Sequence, residues 1–150
     1  LAWLEQHFDE QVEEWVRITE IPGKSGFEQK RAQYVKAQFE AMGLTATIDS
    51  IGNVTARRPG AGGGETVVFA AHLDTVHPLD TDVTVQRDGA VLRAPGIFDN
   101  SASVANMLAM ARALQAESSD PKPWPGALQS LPWIRNEETG SKRRSCCAGA

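Results

Sequence analysis

The chain contains few of the residues on which several large protein classes depend. Its 150 residues include two cysteines, three histidines and one tyrosine. No apolar run reaches the length of about 18 residues that a membrane-spanning helix needs. The two cysteines, Cys146 and Cys147, are adjacent, which disfavours a disulfide between them and matches no zinc-binding spacing. These absences exclude a disulfide framework and predict no transmembrane helix.

The chain also lacks an excess of positive charge. Its net charge is −4, with acidic and basic residues interspersed, so it offers no broad basic surface to nucleic acid or anionic lipid. The first residues form an acidic amphipathic pattern without the apolar centre of a signal peptide. We therefore expect neither nucleic acid nor a membrane as a partner, and we expect a cytoplasmic location.

The most informative segment is HLDTV at residues 72–76, which directly follows the apolar stretch 66–71. This stretch predicts a buried strand, and such strands of open α/β sheets present their carboxyl ends to a crevice. Residues two apart in an extended chain point the same way, so Asp74 can hold one imidazole nitrogen of His72 and leave the other for a metal. A hydrogen-bonded structural pair is the alternative at these positions.

A second carboxylate, Asp99, precedes a predicted helix. Apolar residues recur at helical spacing over 102–115, and we expect Asn100 or Ser101 to cap this helix. Asp99 is then either a carboxylate favoured by the positive end of the helix dipole or a ligand that bridges two cations roughly 3.5–4 Å apart. Two further acids, Glu137 and Glu138, are adjacent in the sequence NEETG. One of them could bind a metal while the other handles a proton, although most such pairs are ordinary surface residues.

Taken in order, HLDTV, PGIFDNSASVANML and NEETG resemble the zinc-dependent exopeptidase and deacylase family that includes tripeptide aminopeptidase, glutamate carboxypeptidase, aminoacylase and acetylornithine deacetylase. The resemblance is continuous from about Ile21 to Gln115 and includes the sequences IPGKSG and IGNV. It implies an α/β fold with a mixed sheet flanked by helices. Residues 1–116 would form the N-terminal part of the family's catalytic domain.

The resemblance also implies a role for each candidate residue. His72 would bind one zinc ion, Asp99 would bridge two, and Glu138 would bind the other. Glu137 would be the general base, and Asp74 would orient His72. The implied cofactor is Zn²⁺, two ions per complete site, with Co²⁺ or Mn²⁺ as substitutes.

The chemistry implied is hydrolysis of a peptide or N-acyl amide bond in a small substrate. Zinc lowers the pKa of its bound water to about 7, so a carboxylate such as Glu137 can take the proton and later deliver it to the leaving amine. The resemblance further implies that full-length relatives form homodimers and carry a lid domain that contributes to substrate specificity.

Length is the main argument against a complete enzyme. The resemblance implies one further carboxylate and one further histidine as ligands, both beyond this stretch, whereas His7, His72 and His77 all precede the Glu pair. Because catalytic zinc normally has three protein ligands, we expect weakened metal sites and little hydrolysis by the isolated chain. The other hypotheses are a non-catalytic remnant and a small binding module in which His72 and Asp99 are structural.

The remaining patterns predict the local structure. An amphipathic helix over 3–16 should end before Pro22, and a second helix should begin at a capping box of Ser25 and Glu28 and stop at Gly43. Strands are predicted at 44–49 and 54–57, and a hairpin at 82–93 around Asp88-Gly89.

Residues 117–150 are predicted to form an irregular, proline-rich segment and tail. Four prolines, at 121, 123, 125 and 132, argue against a long central strand here. Our hypothesis is that this third of the chain derives from a truncated or reading-frame-disturbed version of a longer enzyme. Sequencing of the source locus tests it, and an uninterrupted frame with a natural stop would count against it.

Overall fold

The computed structural model describes residues 2–59, 66–116 and the short strand at 128–129. Glu137, Glu138, Cys146 and Cys147 lie outside the described residues. The helices are α1 (Ala2–Gln6), α2 (Phe8–Thr19), α3 (Gln29–Ala41) and α4 (Ser103–Ala116), and an irregular helical turn, Ile97–Ala102, leads into α4. The strands are β1 (Thr45–Ile48), β2 (Val54–Arg58), β3 (Val67–Val68), β4 (Gln86–Asp88), β5 (Val91–Arg93) and β6 (Leu128–Gln129).

Four of the strands form one mixed sheet in the order β1-β2-β6-β3. Strand β2 is antiparallel to both of its neighbours, while β3 and β6 are parallel. Strands β4 and β5 form a separate antiparallel hairpin. Helix α3 packs on β1 and β2, and α4 packs against α2 and α3. The predicted fold class, a mixed sheet flanked by helices, is therefore confirmed.

The apolar core lies where α3 and α4 meet the sheet. Helical spacing places Val35 and Phe39 of α3 and Leu108 of α4 on the buried faces, and alternation along β2 buries Val54 and Ala56. The described core comprises Ile18, Ala32, Val35, Phe39, Leu44, Ala46, Val54, Ala56, Val104, Ala105, Leu108 and Ala111. Within the described part of the chain, every helix is too short or too polar to cross a lipid bilayer.

The strands predicted at 44–49 and 54–57 form as β1 and β2 and pair as a hairpin, and the hairpin predicted at 82–93 forms over 86–93. Strands β1 and β2 pair with Ile48 opposite Val54, and the carboxylate of Asp49 accepts backbone hydrogen bonds from Ile51 and Asn53 within the turn. The second hairpin turns at Gly89, whose φ of 57° is in the left-handed region that the predicted Asp-Gly turn requires.

The predicted N-terminal helix forms as two helices, because it is interrupted at His7. The ring of His7 stacks on Trp3 with 4.1 Å between centroids, and Nδ1 of His7 lies 2.8 Å from the carbonyl oxygen of Trp3. The side-chain amide of Gln11 donates to the backbone oxygen of Leu4 across the interruption. Helix α2 ends at Thr19, before Pro22 as predicted.

The predicted capping box of α3 is wrong. The residue that precedes α3 is Glu28, and no side chain caps the helix there. Glu28 instead accepts a hydrogen bond from the backbone N–H of Gly26, and the hydroxyl of Ser25 donates to Asp74. The hydroxyl of Ser25 thus bonds to the carboxylate of Asp74, which is distant in sequence, and not to the backbone at the start of α3.

The prediction of a buried strand over 66–71 is also wrong in extent and burial. Strand β3 has two residues, and Val67 and Val68 are 48% and 37% exposed. The physical reason is position, since β3 is an edge strand of the described sheet and lies outside the packing of α3 and α4.

The region predicted to be irregular contributes one strand to the sheet. Residues Leu128 and Gln129 pair with Arg58 and Arg57 of β2 on one side and with β3 on the other. This strand follows the three prolines at 121, 123 and 125, so it avoids the residues that central strands exclude. The prediction for the rest of 117–150 lies outside the described residues, and the proposed boundary at 116 stays a prediction.

Candidate metal centre

The imidazole of His72 is held between two carboxylates. Its Nδ1 lies 3.1 Å from Oδ1 of Asp74 and 3.1 Å from the backbone oxygen of the same residue. Its Nε2 lies 3.0 Å from Oδ1 of Asp99. The structure therefore brings together three of the five residues predicted for the site.

The surroundings of Nδ1 determine the tautomer of His72. A backbone carbonyl oxygen can only accept a hydrogen bond, so Nδ1 facing the carbonyl of Asp74 must carry a proton. In the neutral ring Nε2 then has a lone pair that faces a carboxylate oxygen of Asp99. A nitrogen lone pair and a carboxylate oxygen at this distance are both atoms that can bind a cation. This geometry places Nε2 as the nitrogen available to a metal.

Asp99 reaches His72 because its segment of chain is not regular helix. Within the turn Ile97–Ala102, the backbone angles of Asp99 are φ −107° and ψ 98°, well away from helical values. Its carboxylate is 82% exposed and thus open to a ligand. The side-chain amide of Asn100 donates to the backbone oxygen of His72 at 3.4 Å, which connects the two segments that carry the site.

The prediction that Asn100 or Ser101 caps the following helix is wrong. Asn100 donates to His72, as described, and Ser101 is fully buried with no hydrogen-bond partner for its hydroxyl among the described residues. The irregular turn continues directly into α4, so this helix has no separate start that a side chain could cap.

A cavity of about 290 Å³ adjoins His72 and Asp99. His72, Asp74 and Asp99 line one part of it, and His77 also lines it. The apolar side of the cavity includes Val76 and Phe98, which are 86% and 80% exposed. The remaining lining residues are Thr75, Ala94, Gly96 and Ile97.

The described residues supply only part of a metal centre. No cluster of three or more His, Cys, Asp or Glu side chains suited to a metal occurs within 2–59 and 66–116. Glu137 and Glu138 lie outside the described residues, so their predicted roles stay predictions. The donors that are present, an imidazole nitrogen and a carboxylate, are those that zinc prefers together with thiolates.

Three residues contact the segments that carry the site through bonds that the sequence did not predict. Ser25 donates to Oδ2 of Asp74, and the buried Arg31 donates to the backbone oxygen of Leu73. The indole N–H of Trp15 donates to the backbone oxygen of Ile97 at the start of the turn that carries Asp99. Only the position of Ser25 in the sequence IPGKSG pointed to the family, and nothing in the sequence linked it to Asp74.

Comparison with known proteins identifies the family. Residues 53–140 match peptidase family M28, a match that covers more than half of the chain. The chain belongs to peptidase family M28. The predicted relationship to a family of exopeptidases and deacylases is thereby confirmed.

Relatives in this group are hydrolases of greater length. The LysW-lysine hydrolase of Deinococcus radiodurans is 35% identical over 98 residues, which are 65% of this chain and 26% of the relative. The cytosol non-specific dipeptidase of Escherichia coli is 31% identical, over 64% of this chain and 23% of the relative. The chain thus spans about a quarter of the length of the curated relatives it matches.

A solved structure shows the same fold. The aminopeptidase PepT of Bacillus cereus superimposes with a TM-score of 0.67 at 20% sequence identity, over 81% of this chain and 35% of the other. At this identity the likeness shows the fold alone. It supports the arrangement of mixed sheet and helices described above.

Proposed function

We propose that the chain carries part of the active site of a metal-dependent hydrolase that cleaves a peptide or N-acyl amide bond. The observation on which the proposal rests is the 3.0 Å separation between Nε2 of His72 and Oδ1 of Asp99, with Asp74 behind the imidazole. Membership of a peptidase family, and relatives named as a hydrolase and a dipeptidase, support the class of bond.

Zinc is the proposed metal, with Co²⁺ or Mn²⁺ as substitutes. His72 would supply a nitrogen to one ion, the two oxygens of Asp99 would be shared between two ions, and Glu138 would bind the second. The exposed carboxylate of Asp99 and the tautomer of His72 fit this assignment. When bound, zinc polarises a carbonyl oxygen and makes water acidic enough to act as a nucleophile near neutral pH.

Asp74 and Glu137 would then have two different roles, orientation of a ligand and transfer of a proton. Asp74 accepts a hydrogen bond from the Nδ1–H of His72 and so holds the ring in the orientation that directs Nε2 at the metal. Glu137 is the proposed general base, which takes a proton from water and delivers it to the leaving amine.

The proposed substrate is a small peptide or an N-acyl amino acid. A cavity of about 290 Å³ is at the lower end of the usual range for small-molecule sites, and Val76 and Phe98 offer apolar contacts at its edge. We further propose a cytoplasmic location, which the name of the Escherichia coli relative supports, and a homodimeric full-length protein.

Zinc titration by calorimetry tests the metal assignment. We expect the unmodified chain to bind zinc and the variants His72→Ala and Asp99→Ala each to lose at least tenfold in affinity, because each removes a direct ligand. His7→Ala and Asp9→Ala serve as matched controls and should bind as the unmodified chain does. Equal binding by His72→Ala and the unmodified chain would overturn the proposal and favour a module in which His72 is structural.

Assays of hydrolysis and of zinc affinity together distinguish the proposed roles of Glu137 and Glu138. With zinc added, we expect little hydrolysis of dipeptides and N-acyl amino acids by the isolated chain. Any hydrolysis that it shows should be lost in Glu137→Gln while zinc affinity is unchanged, because a general base is not a ligand. Glu138→Gln should instead lower zinc affinity. Robust hydrolysis that is lost in Glu137→Gln would show that the expectation of a catalytically incomplete chain is wrong. Robust hydrolysis that persists in Glu137→Gln would show that another group moves the proton.

A further inference from the structure

The loop before α3 and the first turns of that helix lie against the segment that carries His72 and Asp74. The backbone N–H of Thr75 donates to the oxygen of Gly23 at 2.6 Å, and the N–H of Ser25 donates back to the oxygen of Thr75 at 3.2 Å. These two bonds set the register between the segments, so that side chains from residues 25 and 31 face residues 73 and 74.

Ser25 controls which oxygen of Asp74 faces the imidazole. Its hydroxyl donates to Oδ2 of Asp74 at 2.5 Å, while Oδ1 of the same carboxylate lies 3.1 Å from Nδ1 of His72. A carboxylate held at one oxygen by Ser25 cannot rotate freely about its last bond. The orientation of the His72 ring therefore depends on a hydroxyl that does not touch it.

Arg31 holds the peptide between the two site residues. Its Nη1 donates to the backbone oxygen of Leu73 at 3.1 Å, and its Nε donates to the oxygen of Ile21 at 2.6 Å. Its Nη2 donates to the oxygen of Thr19 at 3.4 Å, so one guanidinium connects the end of α2 to the His72 segment.

The burial of Arg31 makes this arrangement rigid. The side chain is among the largest fully buried ones, at 1% exposure. Burial lowers the pKa of Arg31 to about 10, and the carboxylate of Asp74 opposes the shift, so the guanidinium stays charged at neutral pH. A Cβ at Gly23 would approach the Cδ of Arg31 to 2.6 Å, so this site requires glycine beside the guanidinium.

We propose that Ser25 and Arg31 are positioning residues of the metal centre, which fix Asp74 and the Leu73 peptide so that Nε2 of His72 is directed at the ion. This inference rests on the proposed function, because it assumes that His72 binds a metal. It adds two residues, both acting through Asp74 or its neighbouring peptide and neither touching the metal.

The test compares zinc affinity by calorimetry in the full chain. Ser25→Ala should bind zinc about three- to tenfold more weakly, somewhat less than the tenfold or greater loss typical of direct outer-sphere partners, because Ser25 acts one residue further out. Ser25→Thr retains a hydroxyl and should restore the affinity. Ser50→Ala, at an exposed serine in the β1–β2 turn, is the matched control and should leave it unchanged.

Two further measurements separate positioning from a general loss of structure. The thermal unfolding of Ser25→Ala without zinc should stay close to that of the unmodified chain, because the bond from Ser25 to Asp74 is exposed and water can replace it. The visible absorption of bound Co²⁺ should shift in Ser25→Ala and return in Ser25→Thr, because a rotated imidazole changes the ligand field. Arg31→Lys keeps the charge, but its single nitrogen cannot reach the carbonyls of Thr19, Ile21 and Leu73 together, so it should lose at least tenfold in affinity.

The outcomes distinguish this inference from the proposed function. If His72→Ala loses zinc binding but Ser25→Ala does not, the positioning role is wrong and the metal assignment stands. If His72→Ala binds as the unmodified chain does, both fail. A Ser25→Ala variant that unfolds without zinc and is not restored by threonine would show a structural role only.

Discussion

At the scale of single residues, the candidate site depends on backbone carbonyl groups as much as on side chains. The carbonyl of Asp74 fixes the proton on Nδ1 of His72, the carbonyl of Leu73 receives Arg31, and the carbonyl of Ile97 receives Trp15. Each of these acceptors belongs to a segment that carries a predicted ligand. The site is therefore positioned through the chain itself and not only through contacts between side chains.

Trp15 provides a test of this dependence at the Asp99 side. Trp15→Phe keeps most of the ring but removes the indole N–H that donates to Ile97 at 2.5 Å. We expect a loss of about 1–2 kcal/mol in the free energy of unfolding, because a carbonyl in a partly buried place loses its donor. Zinc affinity should also fall, since the turn that carries Asp99 is then less well fixed.

Urea unfolding and zinc calorimetry measure the two effects. Trp3→Phe is the matched control, because Trp3 stacks on His7 in the N-terminal helices and its indole is not bonded to the Asp99 turn. A Trp15→Phe variant with lower stability but unchanged zinc affinity would show that Trp15 supports the fold without positioning Asp99.

At the scale of elements, the β4–β5 hairpin is attached to α2 by an exposed ion pair. Arg87 donates two hydrogen bonds to the carboxylate of Glu13, at 2.7 and 2.9 Å, and the backbone N–H of Val85 donates to Glu20 at 3.0 Å. The hydrogen bond from Arg87 lowers the pKa of Glu13 below its ordinary value of 4.5. The attachment is therefore sensitive to acid.

The pH dependence has a defined sign. Because the pKa of Glu13 is lower in the folded chain than in the unfolded one, its contribution to stability is present above pH 4.5 and is lost as the pH falls through the lowered value. Glu13→Gln should therefore lose less stability than the unmodified chain between pH 7 and pH 3. Urea midpoints at the two pH values measure this, with Glu10→Gln, on the same helix, as the control expected to behave like the unmodified chain.

The elements also show which features a single sequence can predict. Both hairpins follow from neighbouring residues, since Asp49 and Gly89 satisfy the turn within a few positions. The sequence pattern of Ser25 and Glu28 predicted a capping box. The hydroxyl of Ser25 instead bonds to Asp74, 49 positions away, and the local pattern does not indicate this partner. The pairing of His72 with Asp74 was predictable from their spacing, and that with Asp99 from the family resemblance.

Arg31 and Trp15 were not predictable in the same way. Their acceptors are backbone oxygens 42 and 82 residues away in the chain. Every residue has a backbone carbonyl group, so the residue type at a position does not indicate whether its carbonyl accepts a hydrogen bond from a distant side chain. The short extent of β3 was missed for a related reason, because an apolar pattern does not specify whether a strand is central or at an edge.

At the scale of the whole molecule, one arginine connects three helices. Nη2 of Arg112 in α4 donates to Glu14 of α2 at 2.9 Å and to Gln38 of α3 at 2.7 Å. The side chain of Glu14 is 5% exposed and that of Arg112 is 25% exposed. The helices that cover the sheet are therefore joined by a polar contact as well as by the apolar core.

Removing Arg112 alone should lower the free energy of unfolding more than replacing both Arg112 and Glu14. Arg112→Met leaves the buried carboxylate of Glu14 without its cation, which we expect to lower the free energy of unfolding by about 3 kcal/mol, the lower end of the range for buried pairs because Arg112 is partly exposed. In the double variant Glu14→Leu, Arg112→Met, the buried charge is removed and apolar side chains fill the space. Its loss of stability should be smaller than that of Arg112→Met alone.

A double-mutant cycle measured by urea unfolding checks this, and the exposed pair Lys36 and Glu40 of α3 supplies the comparison. Their side chains are 32% and 49% exposed, so the coupling between them should be about 0.5 kcal/mol or less. A coupling energy for Glu14 and Arg112 as small as that would mean that water reaches the carboxylate of Glu14 once Arg112 is removed. The joining of the three helices would then depend on the apolar core alone.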